Sequence, residues 1–325
     1  MYLVKSPSSG ITHESMKAFK SLDSYNVFLC GHVQDVYYHN IDAKSEFCYI
    51  KTEVPNMAVN KISKSVAKNL MNTVETFFFD CDGVLWNSYG PIPGAIKTIK
   101  ILKLMNKKVF FVTNNSSFSR KDYLKKFLKY EIAIEENEIL STAFLAAAYV
   151  KNILKLRKVY MIGNVGMATE FENAGIEFIG FGPQLPENDQ TKHYCLNYDV
   201  TVQDDVEAVV VGFDPHFNLN KISQAMQYLA KGLPFIATNT DNRFPVGNGM
   251  FTPGTGCIVS AVQTAAQREP NVLGKPNSLL FDVAKSLCDI NPSKTVMFGD
   301  SVYLKLINIL SWVTTGRKHC PSKEL

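Results

Sequence analysis

From Thr76 onward the chain alternates short, continuous apolar runs with stretches whose apolar residues recur every three or four positions. The runs "TFFFD" (Thr76 to Asp80), "VFFVT" (Val109 to Thr113), "KVYMIG", "EAVVVGFD", "PFIAT", "NVLGK" and "TVMFGD" have the length of buried strands. Between them, "PGAIKTIKILKLMNKK", "SRKDYLKKFLKY", "STAFLAAAYVKNILK", "GMATEFENAG", "LNKISQAMQYLAKG", "GTGCIVSAVQTAAQRE" and "NSLLFDVAKSLCD" carry helical spacing. Pro93 stands near the start of the first of these helices, Ser141 or Thr142 caps the third, and Gly232 ends the fifth. Apolar strands alternating with helices predict an α/β fold, a parallel sheet covered on both faces.

Two stretches depart from this rhythm. Up to about Pro55 the pattern is weak and reads as an appendage. "NVFLCGHVQDVYYHN" there suggests a strand pair, and His32 and His39 lack a Cys or Glu partner at ligand spacing. Pro183 to Asp205 is polar and carries prolines, so it reads as a surface loop. Hydrophobic residues make up 46% of the 325, enough for a sizeable core, and the net charge of +4 is spread without a basic face. Nucleic acid is therefore not expected as a partner. No run approaches the roughly 18 apolar residues of a membrane span, and the start lacks the apolar stretch of a signal peptide. Seven cysteines, an odd number with no C-x-x-C pair, fit reduced thiols and a cytoplasmic protein.

The chemistry lies at the strand ends. In parallel sheets ligands sit beyond the C-terminal ends of the strands. "FFFDCD", "FFVTNN", "NVLGK" and "VMFGD" bring Asp80, Asp82, Thr113, Asn114, Lys275 and Asp300 to that edge. If the backbone stays extended, Asp80 and Asp82 face the same side and Cys81 the other. Two carboxylates so close repel unless a cation lies between them, and hard oxygens favour Mg²⁺ shared with a substrate phosphate. Lys275, the Thr113 hydroxyl and the amides around Asn114 suit phosphoryl oxygens. A carboxylate can attack phosphorus, and a second can protonate the leaving group and then activate water. A calcium loop starting at Asp80 fails, because Val84 and Pro91 stand where its ligands belong. "GKP" is no Walker loop either, since Pro276 replaces the Ser or Thr.

"DCDGVLW", "VTNNSS", "GKP" and "GD", in that order, resemble the haloacid dehalogenase superfamily of phosphotransferases. "VVVGFDPHF", "TNTDNRFP" and "PGTGCIVSAVQTAAQR" are similar to its phosphoglycolate phosphatase and 4-nitrophenylphosphatase branch, over about Lys61 to Ser301. The resemblance implies a Rossmann-like core with an inserted α/β cap and hydrolysis of small phosphomonoesters through an aspartyl-phosphate. It implies Asp80 as nucleophile, Asp82 as general acid/base, Thr113 and Lys275 on the phosphate, and Mg²⁺ held by Asp80, Asp82 and Asp300. The expected layout is an N-terminal extension over 1–57, core over 58–155, cap over 156–268, and core again over 269–325. Asn242, Arg243 and Phe244 become the candidates to face the substrate. Arg243 suits either a small substrate carboxylate or a salt bridge between domains or protomers, and pairing of two copies through the cap is expected.

After Ser301 the resemblance stops. Leu304 and Lys305 stand where the family carries a further carboxylate, and the family's last strand and helix have no counterpart. Two readings follow, an altered end of the reading frame or a diverged relative. With the second comes the alternative of an impaired enzyme acting as a binding protein; a phosphotransferase is the other rival.

Overall fold

The computed structural model describes residues 3–4, 47–48, 64–87, 89–183, 202–247 and 250–299. Asp300, the segment after Ser301, His32, His39 and most of the expected 183–205 loop lie outside them. So does the expected extension over 1–57, apart from the two-residue strands Leu3–Val4 and Phe47–Cys48, which pair antiparallel.

Two parallel sheets, rather than one, take up the predicted strands. The first has the order Thr295–Phe298, Thr76–Asp80, Lys108–Thr113, Ile139–Ser141. Its register sets Phe79 beside Phe298 and Phe111, and Asp80 beside Val112. In the second the order is Asn271–Val272, Phe235–Ala237, Ala208–Val211, Lys158–Ile162, Glu177–Ile179. Its edge strand Asn271–Val272 lies past the boundary expected at 268. Lys275 therefore does not end a core strand. It leaves the second sheet and crosses to the first.

The "FFF" run serves both faces of the first sheet, as a period of two requires. Phe77 and Phe79 stack on Phe298 on one face, and Phe78 lies parallel to Phe281 of the Leu279–Leu287 helix on the other. All three are buried, and each contributes about 1.5–3 kcal/mol. The Ala95–Leu104 and Arg120–Lys129 helices cover the Phe77 side. The Phe78 side packs on the Thr142–Ala148 helix, whose cap is Ser141, its Oγ accepting from the Phe144 N–H at 3.3 Å. Four alanines let this helix lie close to its neighbours. A single core joins Phe78, Val112 and Leu140 of the first sheet to Met161, Val210 and Ile236 of the second. Leu219–Ala230 and Thr255–Ala266 cover the outer face of the second sheet. No helix among the described residues is long and apolar enough to cross a membrane.

Two further contacts hold the layers together. Arg120 gives its backbone N–H and its Nε to the buried Glu170 carboxylate at 2.6 and 3.0 Å, with its guanidinium 3.7 Å over the Phe144 ring. Gly166, in the first turn of the Val165–Asn173 helix, lies against the backbone of Ser117, so that a Cβ there would stand 2.5 Å from the Ser117 carbonyl. Alanine is worth about 1 kcal/mol over glycine in a helix, but a backbone carbonyl cannot rotate aside. Gly166→Ala is accordingly expected to cost about 1–3 kcal/mol net, read as a lower urea midpoint; a rise in midpoint would contradict this packing.

Candidate active site

Asp80 closes the central strand Thr76–Asp80, and its carboxylate is almost wholly enclosed. One oxygen accepts from the Cys81 N–H at 2.7 Å, and the other lies 2.5 Å from Lys275 Nζ. Lys275 Nζ also reaches the carbonyl of Val112, the residue paired with Asp80 across the sheet, at 3.2 Å. Burial pushes the Asp80 carboxyl above its usual range, even against the lowering pull of Lys275.

Thr113 is buried at the same edge, one strand over. Its Oγ1 accepts from the Asn115 N–H at 3.1 Å and lies 3.4 Å from the Tyr123 hydroxyl. Tyr123 is pushed well above the usual phenol range, chiefly by burial. Cys81 is likewise raised by burial and by the two flanking aspartates, so it packs as an inert thiol.

Asn114 follows Thr113 at the strand end, where the amides around it were expected to meet phosphoryl oxygens. Its side chain is spent on the protein: Oδ1 accepts from the Lys275 N–H at 2.8 Å, and Nδ2 donates to the Lys275 carbonyl at 3.0 Å and to Asp241 at 3.1 Å. The backbone carbonyl of Asn114 accepts from Thr142 Oγ1 and Asn239 Nδ2, both at 2.7 Å. Asn114 is thus the clamp that seats the lysine. Asp241 was missed by the sequence reading, although it sits inside the "TNTDNRFP" stretch.

Asp82 lies just past the end of the strand, and its charge is felt at Asp80. The chain leaves the extended conformation after Asp80 and turns at Gly83, whose φ of 83° suits glycine. The Asp82 side chain is 58% exposed, and its Oδ1 accepts from the indole N–H of Trp86 at 2.7 Å, with Lys126 Nζ at 3.6 Å. Asn242, Arg243 and Phe244, the substrate candidates, follow directly on Asp241, which Asn114 reaches. The Arg243–Gly247 strand forms a hairpin with Met250–Pro253, and Phe244 packs edge-on against Phe213, 5.6 Å between centroids. Arg243 sets its guanidinium 4.2 Å over the Phe251 ring, and the Asn242 carbonyl accepts from the Gly254 N–H at 2.8 Å.

The donors fit a hard divalent cation. Asp80 is an anion whose burial outweighs its one counter-charge, and oxygen is the only ligand type Asp80 and Asp82 offer. Among the described residues no cluster of three His, Cys, Asp or Glu side chains is assembled, and the third expected ligand, Asp300, lies outside them.

A parallel sheet with a buried aspartate–lysine pair at its carboxyl edge and a second α/β layer above it defines a haloacid dehalogenase-like hydrolase, and this chain belongs to that family. The family's model matches residues 77–177. A glycerol-3-phosphate phosphatase of Mus musculus is 39% identical over 249 residues, 74% of this chain and 77% of that protein. Phosphoglycolate phosphatase 2 of Arabidopsis thaliana is 38% identical over 250 residues, 75% and 82% of the two chains. Among solved structures, a p-nitrophenyl phosphatase from Archaeoglobus fulgidus superposes with a TM-score of 0.58 at 29% identity, covering 68% of this chain and 77% of that one.

Proposed function

We propose that this protein is a Mg²⁺-dependent phosphatase that hydrolyses small phosphomonoesters, of the glycerol-3-phosphate, phosphoglycolate or 4-nitrophenyl phosphate kind, through an aspartyl-phosphate. The observation that carries it is the buried Asp80 carboxylate at the end of the central strand, 2.5 Å from Lys275 Nζ. The names of the relatives support the substrate class.

In this reading an Asp80 oxygen attacks phosphorus. Lys275 and the Thr113 hydroxyl hold phosphoryl oxygens, with Asn114 fixing the lysine's backbone. Asp82 protonates the departing oxygen and then takes a proton from the attacking water. Asp80, the Asp82 carbonyl and Asp300 would hold Mg²⁺, which supplies charge neutralisation for the phosphoryl group and the nucleophile. The second layer would cover the phosphate and select the leaving group.

The pH dependence follows from Asp80. Its raised carboxyl is protonated, and so not nucleophilic, at a pH where an ordinary aspartate is already ionised. A nearby cation favours the ionised form and lowers this value. The acidic limb of kcat/KM for 4-nitrophenyl phosphate is therefore expected to move to lower pH as Mg²⁺ rises, and chelation by EDTA to abolish turnover. The movement is the readout, because the substrate's own ionisation near pH ~6 does not depend on Asp80. An acidic limb that stays fixed, with full activity in EDTA, would remove the metal from the proposal.

A further inference from the structure

Trp86 is buried among aromatic rings. Its ring meets Phe127 edge-on at 4.9 Å and Tyr130 at a tilt, 5.7 Å between centroids. A phenylalanine or leucine would fill such a place without bringing a polar atom into it. A buried indole N–H needs an acceptor, and here the acceptor is Asp82 Oδ1 at 2.7 Å. The backbone enforces the meeting: the turn at Gly83 folds the chain back so that Gly83 N–H donates to the Trp86 carbonyl at 2.8 Å and Asp82 bridges to Trp86. Lys126, from the neighbouring Arg120–Lys129 helix, holds its ammonium 4.1 Å above the same indole ring and 3.6 Å from the same carboxylate oxygen. Both donors take Oδ1. Among the described residues no hydrogen bond to Oδ2 is made, which leaves it for proton transfer.

We propose that Trp86 and Lys126 are positioning residues for Asp82, fixing an otherwise exposed carboxylate so that Oδ2 delivers its proton to the leaving oxygen. The inference rests on Asp82 being the general acid/base. As the bond from Asp80 to phosphorus forms and the ester P–O bond breaks, the proton on Oδ2 passes to the leaving oxygen, which departs as an alcohol. In the second half, Asp82 takes a proton from water while the water oxygen bonds to phosphorus. The bond from phosphorus to Asp80 then breaks, inorganic phosphate leaves, and both carboxyl groups return to their starting forms.

Leaving-group dependence separates positioning from packing. Phenyl phosphate and 4-nitrophenyl phosphate have nearly the same shape, but nitrophenolate departs without a proton and phenolate is helped by one. The quantity to compare is kcat/KM, which covers the steps up to the first departure, so that hydrolysis of the phosphoenzyme drops out. Asp82→Asn is expected to lower kcat/KM for phenyl phosphate at least ~10-fold more than for 4-nitrophenyl phosphate. Trp86→Phe and Lys126→Met should show the same selectivity at several-fold size, and Lys126→Arg should restore most of it. Equal losses on both substrates in Trp86→Phe and Lys126→Met, with Asp82→Asn still selective, overturn the positioning role and leave the phosphatase reading standing. An unselective Asp82→Asn overturns the positioning role together with Asp82's part as general acid. Should Trp86→Phe fail to fold, Lys126→Met, at a partly exposed position, decides alone.

Discussion

Asp80→Asn is expected to lower kcat for 4-nitrophenyl phosphate by about 10⁴-fold or more, the scale set when a covalent nucleophile is removed. Asparagine matches aspartate in shape and keeps an oxygen for the Cys81 N–H, so the strand end is preserved. What it lacks is an anionic oxygen able to bond to phosphorus. The same change releases Lys275 from its internal ion pair, leaving that buried ammonium without a counter-charge. A bound phosphate supplies one, so inorganic phosphate is expected to bind the variant at least as tightly as the natural protein. Turnover assays and titration calorimetry check the two halves. Turnover within tenfold of the natural chain would show that Asp80 is not the nucleophile.

Lys221→Met is expected to cost about 3–5 kcal/mol in folding free energy, the scale for leaving a buried charge without its partner. Lys221 lies on the inward face of the Leu219–Ala230 helix, and Asp214 follows the Ala208–Val211 strand; both are fully buried and they form an ion pair. Asp214 also accepts from the His216 N–H at 2.8 Å, which does not replace a cation. Removing both charges avoids the stranded anion, and a Lys221→Met, Asp214→Leu double variant should recover most of the loss. Urea unfolding of the natural chain, the single and the double variant reads this directly. A single-variant loss below about 1 kcal/mol would mean that water or another group serves Asp214. The pair matters for the site because the adjoining Phe213 supports Phe244 and donates its N–H to Ser116 of the first layer.

Much of this was legible in the sequence because periodicity and strand-end chemistry are local. "TFFFD" gives a strand, a buried run and a carboxylate at its exit without reference to the rest of the chain. Which strands share a sheet is not local. "NVLGK" reads like a core strand that ends in lysine, yet its first two residues pair with Phe235–Ala237 of the second sheet. Alternation is a rule for extended backbone, which ends at Asp80, so the turn at Gly83 and the placing of Asp82 beyond it were not legible that way. Asn114 was visible as a polar strand end. Its commitment to Lys275, 161 residues away, was not. Trp86 entered only as the last letter of "DCDGVLW", because hydropathy does not register the indole N–H.

The alanine-lined Thr142–Ala148 helix bears on how a substrate gets in. A lid that swings away needs a parting plane between two finished surfaces. Here such a plane would split one continuous core and wet the valines, methionines and alanines that fill it, at about 25 cal/mol for each Å² exposed. The thinner piece is the pair of strands Arg243–Gly247 and Met250–Pro253, with Val246, Met250 and Phe251 in solvent, held by the Phe244 edge on Phe213 and the Gly254 N–H on the Asn242 carbonyl. Whatever ester this protein takes must therefore come in without parting that shared core.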